Sequence, residues 1–267
     1  MKEEDLPCLI SEFCDLGSLD NFLDTRKNSF VNEIEQFSWE KRPTVYKTVM
    51  DENWVALYEQ RRLANLLTTS DLLCFAYQIA NGMEYMHSKK VMHRDLALRN
   101  ILLTSDYVVK IGDFGLSRCT INGLHQTFRN SAVPFKWTAP EALSGMIVSM
   151  ESDLFAFGIL LWELFSLGGE PFAHFSNNIQ VESFIVYNDK MMERPRCAPS
   201  EIYQFMKVLW NLEPKLRPPL KECKRHILEQ LRRACPPGHD PALHHKDWQL
   251  PLPQGFYDEK RPQNRHT

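Results

Sequence analysis

From Asp153 to Phe165 the sequence is apolar at almost every position, and its longest unbroken apolar stretch runs from Leu154 to Trp162. A helix with this pattern has no face to offer water, so it must run through the middle of a domain with other elements packed around it. The stretch stops at Glu163, far short of the roughly 20 residues that a bilayer span needs. The surrounding elements must come from the rest of a 267-residue chain that is 43% apolar and 24% charged, the composition of an ordinary folding protein.

Several of those elements are legible. Cys8 to Phe13 (CLISEF) is an apolar run suited to one buried strand, and Asp15-Leu16-Gly17-Ser18 turns out of it into the helical pattern Leu19, Phe22, Leu23. From about Asp24 to Thr69 periodicity is lost and the residues become charged and polar, with Trp39, Tyr46 and Trp54 scattered among them; this reads as an inserted loop. Thr68 and Asp71 then have capping-box spacing, and Leu72, Ala76, Ile79, Met83 and Met86 follow at helical intervals. Two later helices are expected near Glu201 to Leu212 and Pro219 to Arg233, the second ending in favourable positive charge at Arg232 and Arg233. The tail from Cys235 is rich in Pro and His and is expected to be loose.

Between these helices lies the chemistry. Residues 93 to 100 read HRDLALRN, Asp113-Phe114-Gly115 follows, and WTAPE occupies Trp137 to Glu141. Ile101 to Leu103, the turn Thr104-Ser105-Asp106 and Val108 to Ile111 predict a hairpin, which carries Asn100 and Asp113 to the same end of two adjacent strands. That proximity is what a shared metal requires. Each residue alone would be unremarkable, but their order and spacing are not.

On these motifs the chain resembles a protein kinase, and the resemblance implies an α+β, protein-kinase-like fold. A mainly helical C-terminal lobe would carry only the last strand of the N-terminal lobe. Residues 1–24 would be the hinge strand and first helix, 25–69 a kinase insert, 70–235 the large lobe and 236–267 a flexible tail. Asp95 matches the catalytic-loop base, with Arg99 and Asn100 beside it in the motif, and Asn100 and Asp113 match the ligands of Mg²⁺. The backbones of Glu12 and Cys14, next to Ser11 as gatekeeper, would face the adenine of ATP, with Leu102 packing beneath it. Arg94 matches the residue that receives an activation-loop phosphate. His93 and Phe114 match the lower half of a hydrophobic spine, and Gly115 completes the second motif. Asp153 heads the buried helix, and Glu141 and Arg217 match a buried ion pair tying the activation segment to the late helices.

Ala97 stands two residues after Asp95 and Arg99 four residues after it, the tyrosine-kinase pattern; Pro134-Phe135-Lys136-Trp137-Thr138 resembles the platform on which a substrate tyrosine lies. The hinge-like Leu9 to Cys14, the insert and Phe157 to Glu163 are similar to split-kinase receptors, the platelet-derived and vascular endothelial growth factor type. Protein tyrosine substrates are thus implied, together with phosphotyrosine-reading adaptors at Tyr46, Tyr58 or Tyr257 and a full-length kinase as partner. This chain would be cytoplasmic, its family being single-pass plasma-membrane receptors with this domain on the cytoplasmic side.

Departures also count. Asp113 to Glu141 contains no tyrosine, which leaves Thr120, Thr127 and Ser131 as hydroxyls of that loop and Arg94 and Arg129 as phosphate receivers. No Gly-rich strand-turn-strand and no Val-Ala-Ile-Lys-like strand occurs, so the chain by itself is expected to be a truncated or fragmentary form, inactive or nearly so. Two competing readings follow: a catalytically inactive lobe that serves as a protein-binding or regulatory module, and a remnant with no partner. A net charge of −3 supplies no field for nucleic acid, and the seven cysteines, none in a Cys-x-x-Cys pair, suggest neither a disulfide framework nor a zinc knuckle.

Overall fold

The computed structural model of the chain describes residues 11–35, 43–47, 53–119, 124–125, 134–143, 148–187 and 191–235. Among them the helices are α1 (Leu19–Asp24), α2 (Trp54–Leu63), α3 (Thr69–Ser88), α4 (Pro140–Leu143), α5 (Met150–Phe165), α6 (Asn178–Glu182), α7 (Ser200–Leu209) and α8 (Leu220–Ala234). The strands are short: β1 (Phe30–Val31), β2 (Leu67–Thr68), β3 (Val91–Met92), β4 (Ile101–Leu103), β5 (Val109–Ile111), β6 (Arg118–Cys119), β7 (Leu124–His125) and β8 (Val148–Ser149). They pair two by two, β1 with β2 in parallel and the other three pairs antiparallel.

Helix α5 is the axis predicted from its composition. Ser152 to Leu161 and Glu163 to Phe165 are all buried. Its closest crossing is at Gly158, where an added Cβ would stand 2.6 Å from the indole nitrogen of Trp210, just past α7. Any side chain there would force the two apart. Helix α3 lies against α8 and β5. Its start is fixed by the predicted capping box, in which Thr68 Oγ1 accepts from the Asp71 N–H (3.2 Å) and Asp71 Oδ2 accepts from the Thr68 N–H (2.8 Å). Leu72, Ala76, Ile79, Met83 and Met86 are all buried.

Residues 25–69 depart from the expected loop. In the described parts β1 pairs with β2, Ile34 bridges to Tyr46, and α2 covers the start of α3. The physical reason is a set of buried polar and aromatic anchors without periodic spacing. Glu33, 2% exposed, accepts from the Ser70 N–H (2.8 Å), the Ser70 hydroxyl (2.6 Å) and Arg61 (2.8 Å). Thr44 hydrogen-bonds Ser200 and Glu201, and its carbonyl accepts from Arg233 at 2.6 Å. The segment is a strap across α3, α7 and α8. It also corrects the reading of Tyr46 and Tyr58 as docking tyrosines: Tyr46 is buried, while Tyr58 stacks on buried Trp54 (5.2 Å) and donates to Asp71 Oδ1 (3.1 Å). Burial pushes both phenols above their ordinary range. Tyr257 lies outside the described residues.

The expected strand at Cys8 to Phe13 lies outside the described residues as far as Ile10. Ser11, Glu12 and Phe13 are exposed and extend no described sheet, Phe13 at 84%.

Candidate active site

Helix α5 positions the loop of residues 93–100 with two buried carboxylates. At its first turn Asp153, 2% exposed, accepts from the backbone N–H groups of His93 (2.8 Å) and Arg94 (3.0 Å), and from His87 Nε2 (3.2 Å) in whichever tautomer donates. Arg94 has φ +71°, a left-handed conformation that is unfavourable for a side-chain-bearing residue; the Asp153 carboxylate holds it there. About 15 Å further along the helix, by its rise per residue, Glu163 Oε2 accepts from the Leu98 N–H (3.1 Å) and from Trp137 Nε1 (2.8 Å). Leu96, Ala97 and Leu98 are fully buried. The loop is thus gripped at both ends, and Asp95 sits between the grips with its side chain 15% exposed.

The two polar partners of Asp95 come from the same loop. Arg99 donates to Asp95 Oδ1, and its guanidinium lies 4.3 Å over the Trp137 ring. Asn100 Nδ2 donates to the Asp95 carbonyl at 2.7 Å, which ties up the amide's donor end and leaves Oδ1 for another group. One turn of the expected hairpin brings Asp113 alongside: Ile101 pairs with Ile111, and the Gly112 N–H donates to the Asn100 carbonyl at 2.8 Å. His93 Nε2 reaches the Gly112 carbonyl at 2.9 Å, so this nitrogen carries the proton; Nδ1 is buried without a partner. The His93 ring lies 5.2 Å from that of Phe114, the expected spine contact, although Phe114 is 49% exposed.

Asp113 is exposed, in the left-handed region at φ +53°, with Oδ1 accepting from the Gly115 N–H at 3.2 Å. The side-chain oxygens of Asn100 and Asp113 are of the kind that Mg²⁺ takes. They are hard oxygen donors at one end of the hairpin, with the Asn oxygen unspent. Among the described residues no third acidic ligand joins them, which suits an ion completed by phosphate oxygens and water.

Arg94 Nη1 donates to the Leu116 carbonyl (3.3 Å), and burial together with the neighbouring Arg118 charge holds Arg94 below its ordinary pKa. Arg217, 4% exposed, grips Glu141 with both terminal nitrogens, at 2.7 and 2.9 Å, and donates also to the carbonyls of Asn211 and Glu151. Of the residues expected to face adenine, Leu102 is half-buried, Cys14 is buried with its carbonyl accepting from the Gly17 N–H (3.0 Å), and Glu12 pairs with Lys110 (3.0 Å). Thr120, Thr127, Arg129 and Ser131 lie outside the described residues.

Glu163 was quoted in a motif but given no role by the sequence. Burial pushes its carboxyl up to about 7, against the hydrogen bonds from Trp137 and Leu98 that favour the ionised form. The available signal was the charge itself, standing in a helix that is otherwise apolar all round and so obliged to meet a donor.

The profile of the family described as protein tyrosine and serine/threonine kinase matches residues 1–227. The mast/stem cell growth factor receptor-related protein Kit of Xenopus laevis is 33% identical over 262 residues, covering 84% of this chain and 27% of the relative. Mast/stem cell growth factor receptor Kit of Gallus gallus is 34% identical over 268 residues, 85% of this chain and 28% of the relative. The megakaryocyte-associated tyrosine-protein kinase of Mus musculus is 43% identical over 167 residues, 62% of this chain and 32% of the relative. The chain therefore spans between a quarter and a third of the length of these relatives.

Proposed function

The chain belongs to the protein tyrosine and serine/threonine kinase family, and from that premise we propose that it contributes the catalytic lobe of a receptor-type tyrosine kinase, transferring the γ-phosphoryl group of ATP to protein tyrosine. The observation that carries this is the clamp on Asp95. One carboxylate oxygen is held by Arg99, leaving the other to receive the phenol proton as the tyrosine O–P bond forms and the bond to the ADP oxygen breaks. Arg99 lying flat on Trp137 links the base to the platform where the phenol would rest. Asn100 and Asp113 would hold Mg²⁺, which supplies neutralisation of phosphate charge when bound. Leu102, with the backbones of Glu12 and Cys14, would face the adenine. Arg94 and Arg118 offer cationic partners to a phosphate on the segment that follows.

Similarity to Kit supports a receptor kinase placed on the cytoplasmic side of a plasma membrane, and the strap at 25–69, in the position of an insert, supports the split-kinase type. No helix among the described residues is long and apolar enough to cross a membrane. Adaptors reading phosphotyrosine at Tyr46 or Tyr58 would need the strap to open first; Tyr257 is the remaining candidate.

The experiment is Asp95→Asn in a kinase domain that includes these residues. Nucleotide binding should persist while tyrosine-peptide phosphorylation falls about 10² to 10⁴-fold, the usual worth of a general base. Asp113→Ala should instead weaken Mg-nucleotide binding. Equal turnover by Asp95→Asn and parent would remove Asp95 from the role of base.

A further inference from the structure

The lobe carries a second cleft, at the end of the β4–β5 hairpin opposite Asn100 and Asp113. It has a volume of about 600 Å³ and opens between α1, α2 and the hairpin turn. Its walls are Leu16, Leu63 and Tyr107, with two guanidiniums, Arg26 and Arg62, and one carboxylate, Glu59. Leu63 is 85% exposed, an unusual placement for a leucine at the end of a helix whose other face is packed.

The two arginines are held by aromatic rings. Arg26 lies 3.8 Å over Phe22 and Arg62 lies 4.3 Å over Tyr107, while the rings of Phe22 and Tyr107 meet edge to face at 5.5 Å. Neighbouring cations in the sequence are matched to acids, Lys27 to Asp24 and Arg61 to Glu33. Among the described residues neither Arg26 nor Arg62 forms an ion pair; Arg26 Nη1 donates to the Phe22 carbonyl (3.4 Å) and to Thr25 Oγ1 (3.2 Å), and its Nε is buried without a hydrogen-bond partner. A guanidinium stacked by its face keeps its edge N–H groups in a planar fork suited to a carboxylate. The site therefore combines two ring-stacked guanidiniums, neither in an ion pair, with an apolar wall.

We infer that this cleft docks an acidic peptide segment of a partner protein, its carboxylates on Arg26 and Arg62 and a large apolar side chain against Leu16, Leu63 and Tyr107. The occupant is chosen by charge complementarity: two cations face one exposed carboxylate, so a basic or neutral peptide gains nothing from them. Because the cleft lies at the far end of the hairpin from the metal ligands, a bound segment would leave the catalytic loop free. It would act by raising the local concentration of whatever is tethered to it. The inference does not depend on the chain being an active kinase.

The test uses the 267-residue chain and a fluorescein-labelled peptide, Glu-Asp-Glu-Leu-Phe-Asp-Glu, followed by fluorescence anisotropy. The parent is expected to bind with salt-sensitive affinity. Arg26→Glu and Arg62→Glu should each weaken binding about tenfold or more, as expected for loss of a charge-assisted contact, and Leu63→Asp should weaken it as well. Leu63 is exposed, so this last variant keeps the test valid if an arginine change disturbs folding, which circular dichroism would reveal. Lys207→Glu, on α7, should bind as the parent does. The peptide with Ala in place of Leu and Phe should bind several-fold more weakly. No binding by the parent, equal loss in Lys207→Glu, or equal binding of the Ala peptide would each overturn the proposal, the last by reducing the effect to unspecific attraction of anions.

Discussion

At the scale of single residues the site shows how one buried charge does the work of several exposed ones. Asp153 and Glu163 lie on one helix, yet their surroundings differ. Asp153 is surrounded by two loop N–H groups and a histidine; Glu163 meets one N–H and one indole in an otherwise apolar setting. Glu163 is consequently raised to about 7 from an ordinary 4.5. Above pH 4.5 the unfolded chain has released this proton while the folded chain keeps it, so the stability it contributes falls as pH rises from about 4.5 to about 7. Asp71, raised by burial to about 6, slopes the same way but has finished titrating by then. Between pH 6 and 7 the decline belongs mainly to Glu163. We therefore expect Glu163→Gln to flatten the fall in Tm across that interval, measured by calorimetry in parallel with the parent. An unchanged slope would mean that the carboxyl titrates normally. Asp95, Asn100 and Asp113 could be singled out in the sequence because each sits inside a motif. Glu163 could not, because its partners are a backbone N–H and an indole distant in sequence, which no spacing rule encodes.

At the scale of elements the same contrast separates helices from strap. Periodicity foretold α3, α7 and α8 because each buries a face, and face burial repeats along a helix; α5 was foretold instead by being apolar all round. The strap buries isolated anchors instead, Glu33, Thr44, Tyr46 and Trp54, and such contacts leave no period to read. Two predictions belong here. Burial pushes Glu201 up, but the hydrogen bonds from Thr44, Arg233 and Ser200 outweigh it and hold the carboxyl at about 2. Its contribution is therefore present above pH 4.5 and is lost as pH falls toward 2. Glu201→Gln should lower Tm at pH 6 and make little difference near pH 2. The other element-scale tie is Arg217 to Glu141, which joins α4 to the loop before α8. Arg217→Leu leaves a carboxylate without its bidentate partner and should cost about 3 to 5 kcal/mol, whereas the double change Glu141→Leu with Arg217→Leu should cost less. Denaturant titration of the three proteins decides it, and a single variant as stable as the parent would show that the pair contributes nothing.

At the scale of the whole molecule, the described residues gather Asp95, Asn100, Asp113 and Trp137, proposed as base, metal ligands and substrate platform, around one buried helix, while a phosphate-gripping loop and its lysine are not found in the 267 residues. Catalysis of phosphoryl transfer is almost entirely positioning and charge stabilisation, so these parts cannot be exchanged for a stronger base. Losing two charge-assisted phosphate contacts, at about 1.5 to 3 kcal/mol each, lowers transition-state stabilisation by about 10² to 10⁴-fold. The 267-residue protein alone should then phosphorylate a tyrosine peptide barely above background, and its own tyrosines should report only as targets. Supplied with an active tyrosine kinase and ATP, it should be modified at Tyr187, which is 80% exposed, well before buried Tyr46 or half-buried Tyr58. The order reflects access: a phenol under the strap reaches a kinase only through local unfolding, whose free energy lowers its rate in proportion. Time-resolved mass spectrometry of the sites, run beside an assay of the chain and its Asp95→Asn variant, separates the two expectations. Early phosphate at Tyr46 would show that the strap opens freely. Turnover by the unaided chain that disappears in Asp95→Asn would show that this lobe positions ATP by means other than a glycine-rich loop.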